Sequence, residues 1–320
     1  MKQKTTPSPN GYNITDTIYS YGSFGKGNRL VHRIACFIAF LLAYAPCAGA
    51  AEPLRVLASF LPMEIFTRNV VGDTPGVSID TMLPASMGCP HDYALTPGDM
   101  RKIAAADLFV ANGFGMEEFL GEPVRRANPT IRVVVTARGV RPLHEGHDGD
   151  VNPHTWVSPR NAILQVREIE KALSAARPGL ARAFRRSADA YVSRLSALAA
   201  ELEEAAKTFR RRNIVTSHNV FDYLARDLGL MVVGKIETAP GQEPSAGELR
   251  DLARTIRERK VPAVFSEPGF SPKLAEALAR EAGVPVKVLD PVAIGSPAPT
   301  AYEDAMRRNL STLKEALSAR

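Results

Sequence analysis

Cysteine is too scarce here to staple the chain: there are three, Cys36, Cys47 and Cys89, in 320 residues. Two of them fall in the first fifty residues, which read as a segment removed on export. Cys89 is then alone, and no internal disulfide can form even in an oxidising compartment. Long apolar runs are equally rare. The one candidate, Ile34 to Tyr44, is well short of the roughly 20 residues that a membrane-spanning helix needs. It follows Arg29, His32 and Arg33 and leads into Ala48-Gly49-Ala50-Ala51, the order of a secretory signal peptide cut near Ala50. Pro46 stands where a small residue would precede a lipidated Cys47, which argues against a lipoprotein. The polar stretch before Arg29 is long for a signal n-region and reads as an extension ahead of the folded lobes.

Charge of one sign is also missing once the leader is set aside. The net charge of +6 owes much to the first fifty residues, where five Lys or Arg meet one acidic residue. The remainder holds 35 basic and 33 acidic side chains. With no basic stripe interleaved with aromatics, nucleic acid is excluded as a partner. Glycine-rich phosphate loops, repeats of solenoid period and the H-E-x-x-H signature are absent as well.

What remains is the composition of a soluble globular protein, 45% hydrophobic and 23% charged, and long enough for two domains. Short apolar runs alternate with amphipathic stretches. Strands are expected at Arg55–Phe60, Val77–Leu83, Leu108–Asn112 and Ile131–Val135, with helices between them. After Asn161 the pattern turns helical, and from Leu180 to about Phe209 apolar residues recur every three or four positions, which is one helix of about thirty residues. Alternation resumes at Asn213–Thr216, Leu230–Val233, Val261–Phe265 and Val284–Leu289, and a helix from Thr300 closes the chain. The fold class is therefore α/β, with two parallel-sheet lobes joined by one long rigid helix. The expected division is 1–50 for the extension and signal peptide, 51–178 for the N-terminal lobe, 179–209 for the linking helix and 210–320 for the C-terminal lobe.

Of six histidines, His32 leaves with the signal. His91 follows the strand ending at Leu83, His218 follows the strand of Asn213–Thr216, and His154 precedes a helix that starts at Ser158-Pro159. Asp290 lies just beyond Val286–Leu289. Three of these four sit at the carboxyl ends of strands, where open parallel sheets bind ligands. Three imidazoles and a carboxylate suit a divalent metal, and zinc in preference to manganese, which takes harder, oxygen-rich sites.

The motifs carry a resemblance. Pro90-His91-Asp92-Tyr93 with Thr96-Pro97-Gly98-Asp99, Asn152-Pro153-His154-Thr155-Trp156, Ser217-His218-Asn219-Val220-Phe221-Asp222-Tyr223-Leu224, Gln242-Glu243-Pro244-Ser245, Phe265-Ser266-Glu267-Pro268 and Leu289-Asp290-Pro291 follow one another in order. The chain resembles the metal-binding subunits of zinc and manganese ABC importers, the cluster A-I or zinc-uptake type of periplasmic solute-binding protein. The resemblance implies metal ligation by His91, His154, His218 and Asp290, two from each lobe. In that family the third position is commonly His in zinc-type members and Glu in manganese-type ones, so His218 points to zinc. It also implies Zn²⁺ as the transported ligand, with Mn²⁺ the alternative, and an ABC permease and its ATPase as partners of a monomeric periplasmic receptor that inserts in no membrane. Zinc-type members carry a His-rich acidic loop; here Leu143–Asp150 offers His144, His147 and Asp148 as accessory ligands. Met87-Gly88-Cys89 is an unusual lead into the first ligand, so Cys89 joins Glu243 and Glu267 as groups placed to support the ligands from outside. Glu248 reads equally as such a supporting group and as surface charge, and Trp156 reads as packing.

Two readings outside transport compete. A zinc hydrolase would use three histidines and an open position, but no Ser or Cys nucleophile has an evident base partner. An adhesion module with a structural metal should unfold on chelation. A manganese or iron receptor of the same fold is the nearer rival.

Overall fold

The computed structural model describes residues 52–87, 93–118, 121–145, 150–237, 243–269 and 271–318. The signal peptide and its cleavage site, Cys89, His91, His147 and Asp148 lie outside the described residues.

Four strands and three helices open the chain: β1 (Leu54–Ala58), α1 (Leu61–Val71), β2 (Val77–Thr81), α2 (Pro97–Ala105), β3 (Leu108–Ala111), α3 (Gly121–Ala127) and β4 (Arg132–Val135). The strands form one parallel sheet in the order β2-β1-β3-β4. A small antiparallel hairpin follows, β5 (His144–Glu145) with β6 (Asp150–Val151); it gives the expected Leu143–Asp150 loop a paired base. Two helices come next, α4 (Pro159–Ala176) and α5 (Ala181–Ala206), joined through a short 3₁₀ turn at Pro178–Leu180. The last part holds β7 (Asn213–Thr216), α6 (Asp222–Leu228), β8 (Met231–Lys235), α7 (Ala246–Glu258), β9 (Val264–Ser266), α8 (Pro272–Ala282), β10 (Val286–Val288) and α9 (Ala301–Leu317). Its strands form a second parallel sheet in the order β10-β9-β7-β8.

Helix α4 starts at Ser158, whose hydroxyl accepts the Asn161 N–H (3.2 Å) ahead of Pro159, whose missing N–H costs nothing there. Helix α5 is shorter than its periodicity suggests, because the first turn of that stretch is 3₁₀ and the chain leaves the helix after Ala206. Its 26 residues rise about 39 Å. Phe184, Ala188, Tyr191, Leu195, Leu198 and Leu202 form its buried stripe.

The second sheet shows how strand period distributes the core. Ile214 and Phe265 face the large core shared with α1, α4 and α5, while their neighbours Val215 and Val264 face a smaller one built by α7 and α8. Two lobes joined by a single helix is thus only part of the connection. Helix α9 returns from the second sheet to the first half: Tyr302 packs edge-on to Phe66 (5.2 Å) and donates to the Trp156 carbonyl (2.7 Å), and Arg194 pairs with Glu303 (2.9 Å).

Candidate metal centre

The four strands of the second sheet are parallel, so their carboxyl ends lie along one edge. Beyond β7, the Thr216 hydroxyl donates to the His218 carbonyl (2.8 Å) and turns the chain back on itself. Glu267, one residue beyond β9, is buried, and its Oε1 accepts from the Ser217 hydroxyl and lies 2.8 Å from His218 Nδ1. A carboxylate only accepts, so Nδ1 is the donor in this contact.

His154 is fixed by the opposite half. Asn112, fully buried at the end of β3, donates to the Pro153 carbonyl (2.7 Å) and accepts from the Thr155 hydroxyl (2.7 Å) and from Gln165 Nε2 (2.9 Å). The residues on both sides of His154 are thereby held by one amide. The Asn112 and Gly113 N–H groups in turn donate to the Glu117 carboxylate (2.7 and 3.0 Å), whose pKa desolvation raises against the pull of those bonds. Gly113 has φ +95°, and a Cβ there would stand 2.5 Å from Val135 Cγ1, so the turn accepts glycine alone.

Asn152 links the two histidines. Its Nδ2 donates to the Asn219 carbonyl (2.8 Å), which fixes the amide so that Oδ1 accepts the His154 N–H (2.9 Å) and faces His154 Nδ1 (3.0 Å). His154, like His218, therefore meets an oxygen acceptor at Nδ1. The two rings meet edge to face with centroids 5.1 Å apart, and the His154 ring lies 5.3 Å from that of Trp156. His154 is fully buried and His218 largely so, and each ring is turned by an oxygen acceptor at Nδ1.

Asp290 approaches from the other side of Trp156, whose indole N–H donates to the Pro291 carbonyl (2.7 Å). Its backbone is gripped by Asn309 of α9: Asp290 N–H donates to Oδ1 and Asn309 Nδ2 donates to the Asp290 carbonyl, each at 2.7 Å. The carboxylate takes the Val292 N–H on Oδ1 (2.8 Å) and Arg308 on Oδ2 (3.2 Å). Val292 adopts a left-handed φ of +62°, uncommon and costly for a β-branched residue, and this turn is what brings its N–H back to the carboxylate.

Of the expected site residues, His154 and His218 come together and Glu267 supports His218. Among the described residues, no three His, Cys, Asp or Glu side chains gather as one metal-holding group; the Asp290 carboxylate is engaged by Val292 and Arg308. His144 lies on β5, exposed, at the base of the hairpin. Glu243 is exposed ahead of Ser245, and Glu248 forms a capping box with Ser245 at the start of α7. Sequence reasoning passed over Asn112, Asn152 and Arg308. The first two are neutral amides whose role depends on partners 40 to 70 positions away; the position of Asn152 two residues before His154 was the available signal.

Two parallel α/β sheets bound through long helices, with His218 and Glu267 just beyond strands of the second, are the architecture of a two-lobed substrate-binding protein. The chain belongs to the family of the periplasmic zinc-uptake complex component A, whose model matches residues 56–316. It is 31% identical over 294 residues to the zinc-binding lipoprotein AdcA of Streptococcus pneumoniae, covering 86% of this chain and 58% of that one. To the iron-binding protein YfeA of Yersinia pestis it is 34% identical over 241 residues, covering 74% and 76%. The chain thus spans little more than half the length of the first curated relatives it matches. Among solved structures it superposes on ZnuA with a TM-score of 0.74 at 28% identity, covering 83% of this chain and 100% of that one. The binding protein FpvC of Pseudomonas aeruginosa in complex with Mn²⁺ gives a TM-score of 0.74 at 32% identity, with coverage of 83% and 98%.

Proposed function

We propose that the protein is a high-affinity zinc receptor outside the inner membrane that hands Zn²⁺ to the permease of an ABC importer. The metal is cargo, and the protein binds it without catalysing a reaction. The observation that carries the reading is the pair of histidines whose Nδ1 atoms both face buried oxygen acceptors, Asn152 Oδ1 and Glu267 Oε1. With Nδ1 facing an acceptor in each ring, both histidines would coordinate through Nε2, the orientation that metal-ligating histidines commonly take. In this reading His91 and Asp290 complete the set, and His144, His147 and Asp148 form a weaker accessory site on the hairpin.

The family description and the zinc-binding name of AdcA support zinc. The same fold also holds an iron-binding relative and neighbours in complex with Ni²⁺ and Mn²⁺, so fold alone does not choose the metal. A nitrogen-rich ligand set favours Zn²⁺ over Mn²⁺. The family description and the signal peptide expected at the N-terminus support a periplasmic location; among the described residues no helix is long and apolar enough to cross a membrane. The partners are the importer's permease and, through it, its ATPase.

Competition titration of the purified protein against a chromophoric chelator with Zn²⁺ and with Mn²⁺ tests the proposal. Zinc should bind far more tightly, and His154→Ala and His218→Ala should each abolish that preference. Stronger binding of Mn²⁺ would sink the choice of metal.

A further inference from the structure

We propose that Arg308 tunes the hold of the site on its cargo by competing with the metal for the Asp290 carboxylate. The inference rests on Asp290 being a ligand. Arg308 sits on α9, one residue before Asn309, so a single helix turn addresses both the backbone and the carboxylate of Asp290. Its NH2 reaches Asp290 Oδ2 at 3.2 Å, while Val292 holds Oδ1. A cation arriving at this carboxylate meets a group that already carries a positive charge in contact. Either Oδ2 leaves Arg308 for the metal, or one carboxylate serves an arginine and a divalent ion a few ångströms apart. Both routes weaken binding relative to a site without the arginine, and both return the carboxylate to a ready partner when the metal departs. A receptor that must give up its cargo gains from such a partner, because Arg308 lowers the free energy of the emptied site.

The size of the effect follows from exposure. The Arg308 side chain is 65% exposed and that of Asp290 22%, so water and salt screen the competition and hold it to a few-fold. Arg307 provides the internal control. It is the next residue on the same helix, with the same charge, and it turns away to Glu201 of α5 at 3.3 Å.

The test measures zinc and manganese dissociation constants by chelator competition, and zinc off-rates by stopped flow, for Arg308→Gln, Arg308→Lys, Arg307→Gln and Asp290→Ala. Arg308→Gln should bind both metals about fivefold more tightly at low salt and release zinc correspondingly more slowly, with the gain shrinking in 1 M salt. Because the competition is electrostatic, the ratio of the two affinities should not move. Arg308→Lys, which keeps the charge, and Arg307→Gln should both stay within about twofold of the unaltered protein. An Arg308→Gln protein that matches Arg307→Gln, or binds metal more weakly, overturns the inference and makes the arginine a positioning group or a bystander. Asp290→Ala separates the layers: if it retains zinc like the unaltered protein, the ligand assignment fails and the inference with it. If it loses zinc while Arg308→Gln changes nothing, the inference alone fails.

Discussion

The histidines and the aspartate of the site are held by opposite means. His154 and His218 are oriented by acceptors taken out of water, Asn152 at 1% exposure and Glu267 at 8%, with their own partners in Asn219 and Ser217. Asp290 is oriented at its backbone by a buried amide, Asn309, but its carboxylate leans on an exposed arginine. Buried neutral or anionic acceptors raise the readiness of an imidazole to bind a cation; an exposed cation lowers that of a carboxylate. The histidine side thus supplies geometry, and the aspartate side supplies adjustability.

Removing either histidine should break the comparison outright. His154→Ala or His218→Ala is expected to cost more than the 10–100-fold in zinc affinity that loss of an outer partner typically costs, as read by chelator competition. Asn152→Ala strikes both histidines at once, since one amide holds the His154 ring and the carbonyl beside His218. It should reduce affinity by about 10–100-fold, and Glu267→Ala, which frees one ring only, by less. Equal losses for the two would show that Asn152 acts on His154 alone.

The frame behind the site responds differently, in stability and not in metal affinity. Leu198→Ala in the buried stripe of α5 should cost about 3 kcal/mol of unfolding free energy in a denaturant titration. Tyr302→Phe, which deletes the bond to the Trp156 carbonyl, should cost about 1 kcal/mol. The smallest effect lies at the start of α2. Burial works to raise the Asp99 carboxyl, but bonds from Tyr93 and Thr96 and the charge of Lys102 outweigh it and hold it below its ordinary 3.8. A carboxyl depressed in the folded state stabilises above its unfolded value, and that contribution fades as pH falls through 3.8 toward the folded value. Stability below pH 4 should therefore decline less steeply in Asp99→Asn than in the unaltered protein, measured by thermal melts across that range.

Much of this frame was legible in the residues. Apolar runs marked all eight strands of the two parallel sheets to within a few positions, most clearly the largely buried inner strands β1, β3, β7 and β9, which must be apolar along most of their length. The stripe from Phe184 to Leu202 marked α5 for the equivalent reason at period 3.6. Proximity in a motif says nothing of direction: Ser245 caps a helix directly after Glu243, and Glu243 itself is exposed. Trp156 was read as packing, and it packs, yet its indole N–H also ties the His154 segment to Pro291. The hairpin base at His144–Glu145 and Asp150–Val151 was invisible as well, since two-residue strands carry no period.

Residue type and order determined the α/β class, the twin sheets, the long helix and which histidines stand at strand ends, because those follow from local periodicity and from turn chemistry along the chain. Only the tertiary structure decided which ring nitrogen of His154 and of His218 meets an oxygen acceptor, that Asn152 spans from one histidine to the other, and that Arg308 meets Asp290. Those depend on contacts between segments far apart in sequence, where a hydrogen bond is set by the direction of a single side chain within a packed fold and leaves no periodic trace.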